Sequence, residues 1–254
     1  MSSRSAQAIK EDAAGIAADF PVEALTHSSL GQSVYELLRL SLASGRFRPG
    51  AKLRIRELAD QLGTSVTPVR DAILQLAREE AIVLRSPRDI RVPVLTFEQY
   101  LEIRAIRIEL EGLAAATAAM RIDDSGFRRM QELLEANRRA VDAGDMATAF
   151  QCNQRFHLAL ADVAGMPCLR GFVDRLWMQT APVLAAAYES SMQNTRTDDH
   201  EEIVSALRNR DSDGARRALR DHLVKGGEAI FRYIRHRENG ELHATDDRTP
   251  IKLA

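Results

Sequence analysis

Apolar residues recur at helical spacing in three short segments near the start of the chain, and two β-branched runs follow them. Helices are predicted over residues 32–43, over 55–62 and from Ser65 or Thr67 onward, and strands are predicted over 82–84 and 90–92. Three helices followed by a small hairpin are typical of a winged helix-turn-helix. We expect this domain to cover residues 29–95.

From residue 96 onward the apolar spacing is helical almost throughout. The predicted helices are Phe97–Met120, Asp124–Ala143, Met146–Val163, Cys168–Tyr188, Thr195–Asn209 and Ser212–Arg235. They indicate an all-α antiparallel bundle of about six helices over residues 96–237. The fold class is therefore mainly α. The polar ends, 1–28 and 238–254, are predicted to form a disordered arm and a disordered tail.

Composition narrows the classes of function. Aromatic residues make up 5% of the chain, too few for the stacking platforms that bind single-stranded nucleic acids. No segment is long and apolar enough to predict a membrane span. Two cysteines, Cys152 and Cys168, make no disulfide framework, which favours the reducing cytoplasm.

Charge is divided unevenly along the chain. Residues 30–94 contain 11 Lys or Arg against 7 Asp or Glu, whereas the remainder contains 24 against 29. A basic module followed by an acidic one indicates that the first part binds a polyanion. A surplus of this size also arises by chance, so charge alone leaves both interpretations open.

The predicted third helix and hairpin hold the candidate DNA contacts. The N-terminal residues of such a helix enter the major groove, and here they are Ser65, Thr67 and Arg70. Arg88 and Arg91 lie on the hairpin, where they could reach phosphates or the minor groove. The alternative is that these arginines are ordinary solvated charges.

Several motifs resemble known families. The runs G-R-F-R-P-G-A-K-L at 45–53, R-E-L-A at 56–59 and L-G-T-S-V-T-P-V-R-D-A at 62–72 resemble the DNA-binding domain of GntR-family bacterial transcription regulators. The segments 107–112, 153–157, 200–203 and 222–223 resemble the FCD-type ligand-binding domain of the FadR-like branch. The resemblance covers nearly the whole chain outside its two ends.

The resemblance implies a homodimeric regulator, a repressor, that binds an inverted-repeat operator and is released by a small organic or sugar acid. Its DNA contacts fall at Arg56, Ser65, Val66, Thr67 and Arg70. Val66 stands where many relatives have a guanine-reading arginine, which predicts an altered base preference. Asp89 stands where the wing tip usually has glycine, which predicts an unfavourable charge facing phosphate.

Three of the six histidines lie in three different predicted helices of the bundle. They are His157, His200 and His222, and Asn153 precedes His157 by one helical turn. Imidazole donors suit a divalent transition metal, here zinc, with nickel or iron as alternatives. The three histidine positions match the metal-binding pattern of the resembled family, whose fourth ligand is usually aspartate and is here Asn153. The open alternatives are direct binding of a carboxylate effector and ordinary core polar residues.

Two arginines on the first bundle helix are candidate effector contacts. An inward Arg104 or Arg107 would bind an organic acid bidentately. The alternative for Arg107 is an exposed salt bridge with Glu111, four residues later. The segment 176–182 is expected to supply an apolar wall, although Trp177 could be core alone.

Two other classes of function compete with a regulator that has no catalytic activity. A three-histidine metalloenzyme is the first alternative, but the sequence has no H-E-x-x-H motif and no carboxylate marked as a general base. A plain helical dimerisation protein is the second, and the T-P-V-R turn and the basic hairpin count against it. The sequence names neither the effector nor the operator.

Overall fold

The computed structural model describes residues 28–190 and 198–240. The first part of the chain folds into three helices and a two-stranded hairpin. These elements are α1 (Ser28–Ala43), α2 (Ile55–Gln61), α3 (Val66–Arg78), β1 (Val83–Ser86) and β2 (Asp89–Arg91). The prediction of a winged helix-turn-helix is confirmed, and Gly63 after α2 has the positive φ of 61° that the sharp turn into α3 requires.

The winged domain has its own apolar core. The buried face of α3 is the predicted one, formed by Val69, Ala72, Ile73 and Leu76. It packs against α1, whose Leu38 and Leu42 are fully buried. Ile90 of β2 belongs to the same core, so the hairpin is anchored to the helices.

The second part of the described chain is helical, as predicted. Its elements are α4 (Phe97–Arg121), α5 (Asp124–Asp142), α6 (Met146–Val163), α7 (Pro167–Ser190), α8 (Asp198–Arg208) and α9 (Ser212–Glu238). Polar side chains cap several of these helices: Thr96 forms a capping box at α4, and Asp123, Asp145 and Asp211 cap α5, α6 and α9.

The longest bundle helices, α4 and α9, pack against each other in antiparallel orientation. The start of α4 meets the end of α9, where the Phe97 N–H donates to Glu238 Oε1 at 3.2 Å. Farther along, Gly112 lies against the side chain of Arg216. None of the helices that the structure describes is both long and apolar enough to cross a membrane.

Helix α7 belongs to both parts of the molecule. Trp177 is fully buried in the core of the bundle, whereas the next residue, Met178, is 3% exposed and lies in the core of the winged domain. An ion pair between Arg39 on α1 and Asp174 on α7 lies at the same junction. The two domains are therefore packed together along α7.

The boundaries differ slightly from the predicted ones. Ser28 was assigned to the disordered arm, but it begins α1, and Glu238 was assigned to the tail, but it ends α9. Helix α7 also runs two residues beyond Tyr188. The rest of the predicted arm, 1–27, and the part 241–254 of the predicted tail lie outside the described residues. So do residues 191–197, which include the first three residues, 195–197, of the predicted fifth bundle helix.

Candidate functional site

The N-terminal end of α3 is a polar, exposed surface. Ser65 is its N-cap residue but makes no side-chain capping hydrogen bond, so its hydroxyl is not used in the helix start. Val66, Thr67 and Arg70 are exposed on the face opposite the buried one. The backbone N–H groups and the dipole at a helix N-terminus also attract phosphate. The structure thus presents these four residues where a duplex could reach them.

A cleft of about 710 Å³ lies between α2, the start of α3 and the hairpin. The predicted DNA contacts Arg56, Val66, Arg70 and Arg88 line it together. Sequence reasoning missed two further basic residues on its wall, Lys52 and Arg54. The sequence feature that could have identified them is the alternation of basic residues at positions 52, 54 and 56. The three side chains line one cleft because the chain turns into α2 at this point.

The two hairpin arginines differ in accessibility. Arg88 is exposed in the turn. Arg91 is partly buried, because its Nε donates to Asp89 at 2.7 Å and its Nη1 donates to the carbonyl of Gly50 at 3.3 Å. The hairpin geometry therefore favours Arg88 over Arg91 as a phosphate contact.

Asp89 does not lie at the tip of the hairpin. Asp89 is the first residue of β2 and pairs with Ser86, so the turn consists of Pro87 and Arg88 alone. Its φ is not positive. Its carboxylate pairs with Arg91, and Arg85 lies 4.0 Å away, so its charge is offset within the wing.

The three bundle histidines meet in the interior. His157 on α6, His200 on α8 and His222 on α9 offer ring nitrogens that lie within 4.8 Å of one another. The Nε2 atoms of His157 and His222 are 3.1 Å apart, and the ring centroids of His200 and His222 are 4.2 Å apart. Asn153 is buried one turn before His157 on α6.

Among residues 28–190 and 198–240, several buried atoms of these side chains have no hydrogen-bond partner. The unsatisfied buried atoms include Asn153 Oδ1, both ring nitrogens of His200, and His222 Nδ1. Burial lowers the pKa of His200 to about 3 and is the largest cause of that shift. It also lowers the pKa of His222 well below its usual value. The neighbouring histidines lower both pKa values further. Both rings are therefore neutral at physiological pH, which is the form that binds metals.

The residues present fit a divalent metal. Two nitrogens bound to one tetrahedral zinc ion lie about 3.3 Å apart, given Zn–N bonds of about 2.05 Å. The 3.1 Å separation of the Nε2 atoms of His157 and His222 is close to that spacing. A buried polar atom without a partner is costly, and a cation at this point would give a partner to Asn153 Oδ1 and to one ring nitrogen of His200.

A buried ion pair lies beside the histidines. Glu111 is fully buried, and its Oε1 accepts from Arg107 Nε at 2.6 Å while its Oε2 lies 2.5 Å from His157 Nδ1. Burial acts to raise the pKa of Glu111, but the charges of Arg107 and His157 and their hydrogen bonds lower it to about 2. Arg107 also stacks on Trp177, with 4.2 Å from its guanidinium carbon to the ring centre.

Neither predicted arrangement of Arg107 is the observed one. Arg107 points inward, as the effector hypothesis required, but its partner is Glu111, and the pair is buried rather than exposed. Sequence reasoning missed Glu111 as a site residue. The sequence feature that could have identified Glu111 is its place in an alanine-rich part of α4. It lies on the face that also contains the buried Ala114, Ala115 and Ala118.

Arg104, the second predicted effector contact, lies apart from this cluster. It is partly exposed at the seam between α4 and α9, with its guanidinium carbon 4.6 Å from the centre of the Phe231 ring. In the predicted wall 176–182, Trp177, Ala181 and Pro182 are buried. Trp177 lies 5.5 Å from His157 between ring centres.

A winged DNA-binding domain joined to a helical bundle is the architecture of a transcription regulator. Models of known families match both parts: "Bacterial regulatory proteins, gntR family" matches residues 30–92, and "FCD domain" matches residues 102–225. The chain belongs to the GntR family of transcription regulators and has an FCD C-terminal domain.

Individual relatives agree with this assignment. The chain is 33% identical over 210 residues to the HTH-type transcriptional regulator McbR of Escherichia coli K12. The aligned region covers 82% of this chain and 95% of the relative. It is 27% identical to the HTH-type transcriptional repressor RspR of the same organism, over 84% of this chain and 92% of the relative. The solved structure of E. coli McbR/YncC superposes with a TM-score of 0.76 at 32% identity, covering 80% of this chain and 98% of that one.

These relatives are transcription regulators rather than enzymes, and the metalloenzyme alternative is not supported. Members of the GntR family bind DNA operators and typically dimerise, and FCD domains often bind metals. The three close histidines of this chain lie within the matched FCD range, residues 102–225.

Proposed function

We propose that this protein is a homodimeric repressor that binds an inverted-repeat operator in the bacterial cytoplasm and leaves it when a small carboxylate effector enters the bundle beside a bound zinc ion. The observation that carries the proposal is the buried cluster of unpartnered ligand atoms in an FCD domain that is packed onto a DNA-binding domain. The repressor activity of a relative, RspR, supports the direction of regulation.

The DNA-binding half of the proposal depends on the exposed start of α3. Arg56, Ser65, Thr67 and Arg70 supply polar contacts, and Val66 could pack against a thymine methyl group. Arg88 would contact phosphate from the hairpin. Lys52, on the wall of the same cleft, adds to the positive charge that a DNA backbone meets, whereas the charge of Arg54 is offset by Glu57 at 3.0 Å.

In the effector half of the proposal, His157, His200, His222 and Asn153 would hold the metal. A bound zinc ion would supply a Lewis-acidic centre for a carboxylate oxygen. Asn153 offers only a neutral carbonyl oxygen, so the affinity for metal is lower than with aspartate. An effector carboxylate could bind Arg107 only by competing with Glu111, because Arg107 and Glu111 already form an ion pair.

Helix α7 provides a physical connection between the two halves. Trp177 contacts the Arg107 guanidinium, and the adjacent Met178 is embedded in the winged-domain core. A shift of α7 on effector binding would therefore be transmitted directly to α1. This continuity supports regulation of DNA affinity from the histidine site.

The experiment uses an operator duplex selected in vitro from a random DNA pool. Its affinity for the zinc-loaded protein is measured by fluorescence anisotropy, with and without citrate, malate and gluconate, and again after removal of zinc with a chelator. The proposal predicts tight binding without acid, at least tenfold weakening by one of these acids, and loss of that response in the zinc-free protein. No sequence preference, or an acid response independent of zinc, would contradict it.

Binding at the site has an independent readout. The chain contains one tryptophan, Trp177, and its ring centre is 5.5 Å from that of His157. Zinc or an acid bound at the histidines is expected to change its intrinsic fluorescence. A ligand that weakens DNA binding without changing this signal would act elsewhere on the protein.

A further inference from the structure

We infer that Glu111 is a positioning residue for the histidine site: it fixes the proton of His157 on Nδ1 and so turns the Nε2 lone pair toward His200 and His222. The inference rests on the proposed zinc site, since orienting His157 matters only if that residue binds a metal. The tautomer and the hydrogen bonds that it describes are those of the metal-free protein. It assigns a role to a carboxylate that is not itself one of the proposed metal ligands.

The geometry leaves little freedom to the Glu111 side chain. Its Oε1 accepts from Arg107 Nε at 2.6 Å, while its Oε2 accepts from Arg107 Nη2 at 3.5 Å and lies 2.5 Å from His157 Nδ1. Arg107 is itself held on its other side by the face of Trp177. The carboxylate thus has fixed neighbours on both sides.

The chemistry of the pair determines which ring nitrogen of His157 carries the proton. Arg107 is always charged, and its hydrogen bond favours the ionised form of Glu111. An ionised carboxylate only accepts hydrogen bonds, so His157 Nδ1 must donate. In the neutral ring the other nitrogen, Nε2, then has the free lone pair, and it is this atom that lies 3.1 Å from His222 Nε2.

This arrangement matters for binding because a histidine that ligates through Nε2 must have that atom deprotonated. A carboxylate behind the ligand fixes the tautomer and the ring orientation in advance, and removing such a partner typically weakens metal affinity about 10–100-fold. His200, in contrast, has no hydrogen-bond partner on either ring nitrogen within the part of the chain that the structure describes. His157 is therefore the oriented ligand of the three.

The first measurement is ¹⁵N NMR of metal-free protein with labelled histidine, in which the nitrogen shifts of His157 report its tautomer. Its signals are assigned by their loss in a His157→Gln variant. At a pH where the His157 ring is neutral, the wild type is expected to show the Nδ1–H tautomer alone. Glu111→Gln is expected to give a mixture, because an amide can donate as well as accept. Glu109→Gln, an exposed change on the same helix, is the matched control.

The second measurement is zinc affinity by competition with a chromophoric chelator. Glu111→Gln is expected to bind zinc 10–100-fold more weakly than wild type, and Glu109→Gln is expected to match wild type. If Glu111→Gln does not fold because Arg107 is left unpaired, the double variant Glu111→Met with Arg107→Met removes both charges and is measured in its place.

The outcomes separate the two proposals. A wild-type tautomer together with wild-type zinc affinity in the Glu111 variant would overturn the positioning role. A wild-type His157 protonated on Nε2 would overturn it as well. If wild type binds no zinc at all, the proposed metal site fails, while the tautomer measurement still decides whether Glu111 orients His157.

Discussion

The DNA-binding surface and the histidine site are built in opposite ways. Arg70 and its neighbours at the start of α3 are exposed, and the fold does not depend on them. His157 and His200 are 1% and 4% exposed, and each is packed against other aromatic rings. Substitutions should therefore separate function from stability at the first site and affect both at the second.

The largest effect is expected from Arg70→Ala. Specific sites are commonly bound 10³–10⁷-fold more tightly than non-specific DNA, and a few base contacts supply most of that margin. We expect loss of specific operator binding with an unchanged unfolding midpoint, measured by anisotropy and by thermal denaturation. Arg78→Ala, exposed at the other end of α3, is the control. Operator affinity equal to wild type would remove Arg70 from the interface.

Next in size is Met178→Ala, which tests whether α7 joins the two regions. Truncating a buried methionine typically costs about 2–5 kcal/mol, and Met178 lies in the winged-domain core. We expect lower stability in urea and a smaller effector-induced change in operator affinity. Met120→Ala, on an exposed part of α4, should change neither. A full effector response in folded Met178→Ala would show that α7 packing does not transmit the signal.

Acid is expected to destabilise the metal-free protein through the histidine site. The folded-state pKa of His200 is about 3, below the ordinary value of 6.5, so the unfolded chain binds more protons between these values. Stability is therefore lost as pH falls through this range, by up to about 1.4 kcal/mol per pH unit for each such group. His222 acts in the same direction, and Glu111 adds to it below its usual pKa of 4.5.

The variant His200→Gln tests this pH dependence, because glutamine does not titrate and can occupy the same buried position. In His200→Gln the slope of unfolding free energy against pH, from urea titrations, should be flatter between pH 6.5 and 3. Equal slopes in wild type and His200→Gln would mean that His200 is protonated in the folded protein.

A smaller effect is expected at the hairpin, where Arg88→Ala should weaken binding to all sequences alike. One phosphate contact contributes about 0.9 to the slope of log affinity against log salt concentration. We expect that slope to fall by about one, with the preferred sequence unchanged. Arg91→Ala should change the slope less, because Arg91 is bound to Asp89 and the Gly50 carbonyl. A changed sequence preference in Arg88→Ala would indicate base contacts.

The architecture followed from sequence because it depends on local periodicity. Helix α6 has the predicted bounds, and the buried face of α3 is the predicted one, since each is set by apolar spacing over a few turns. The convergence of three histidines could be anticipated only with the help of family motifs. Their positions span 65 residues, from 157 to 222, and no local pattern brings them together.

The details that escaped prediction depend on packing or on hairpin register. Glu111 has the spacing of a surface salt bridge, and only contact with His157, 46 residues away, explains its burial. Asp89 was expected in the turn, but the irregular register between Leu84 and Ser86 places it in β2. Both cases concern charged residues, whose environment is not given by the apolar pattern.

Zinc content tests the central claim most directly, because the account requires the buried histidines to be ligands rather than core polar groups. The protein is purified without a histidine tag or chelator, reconstituted with zinc, freed of loose metal and analysed by mass spectrometry for zinc per chain. We expect about one zinc ion in wild type, none retained in His157→Ala, and tighter retention against chelator in Asn153→Asp, where a negative ligand replaces a neutral one. No zinc in reconstituted wild type, or equal zinc in wild type and His157→Ala, would contradict the account.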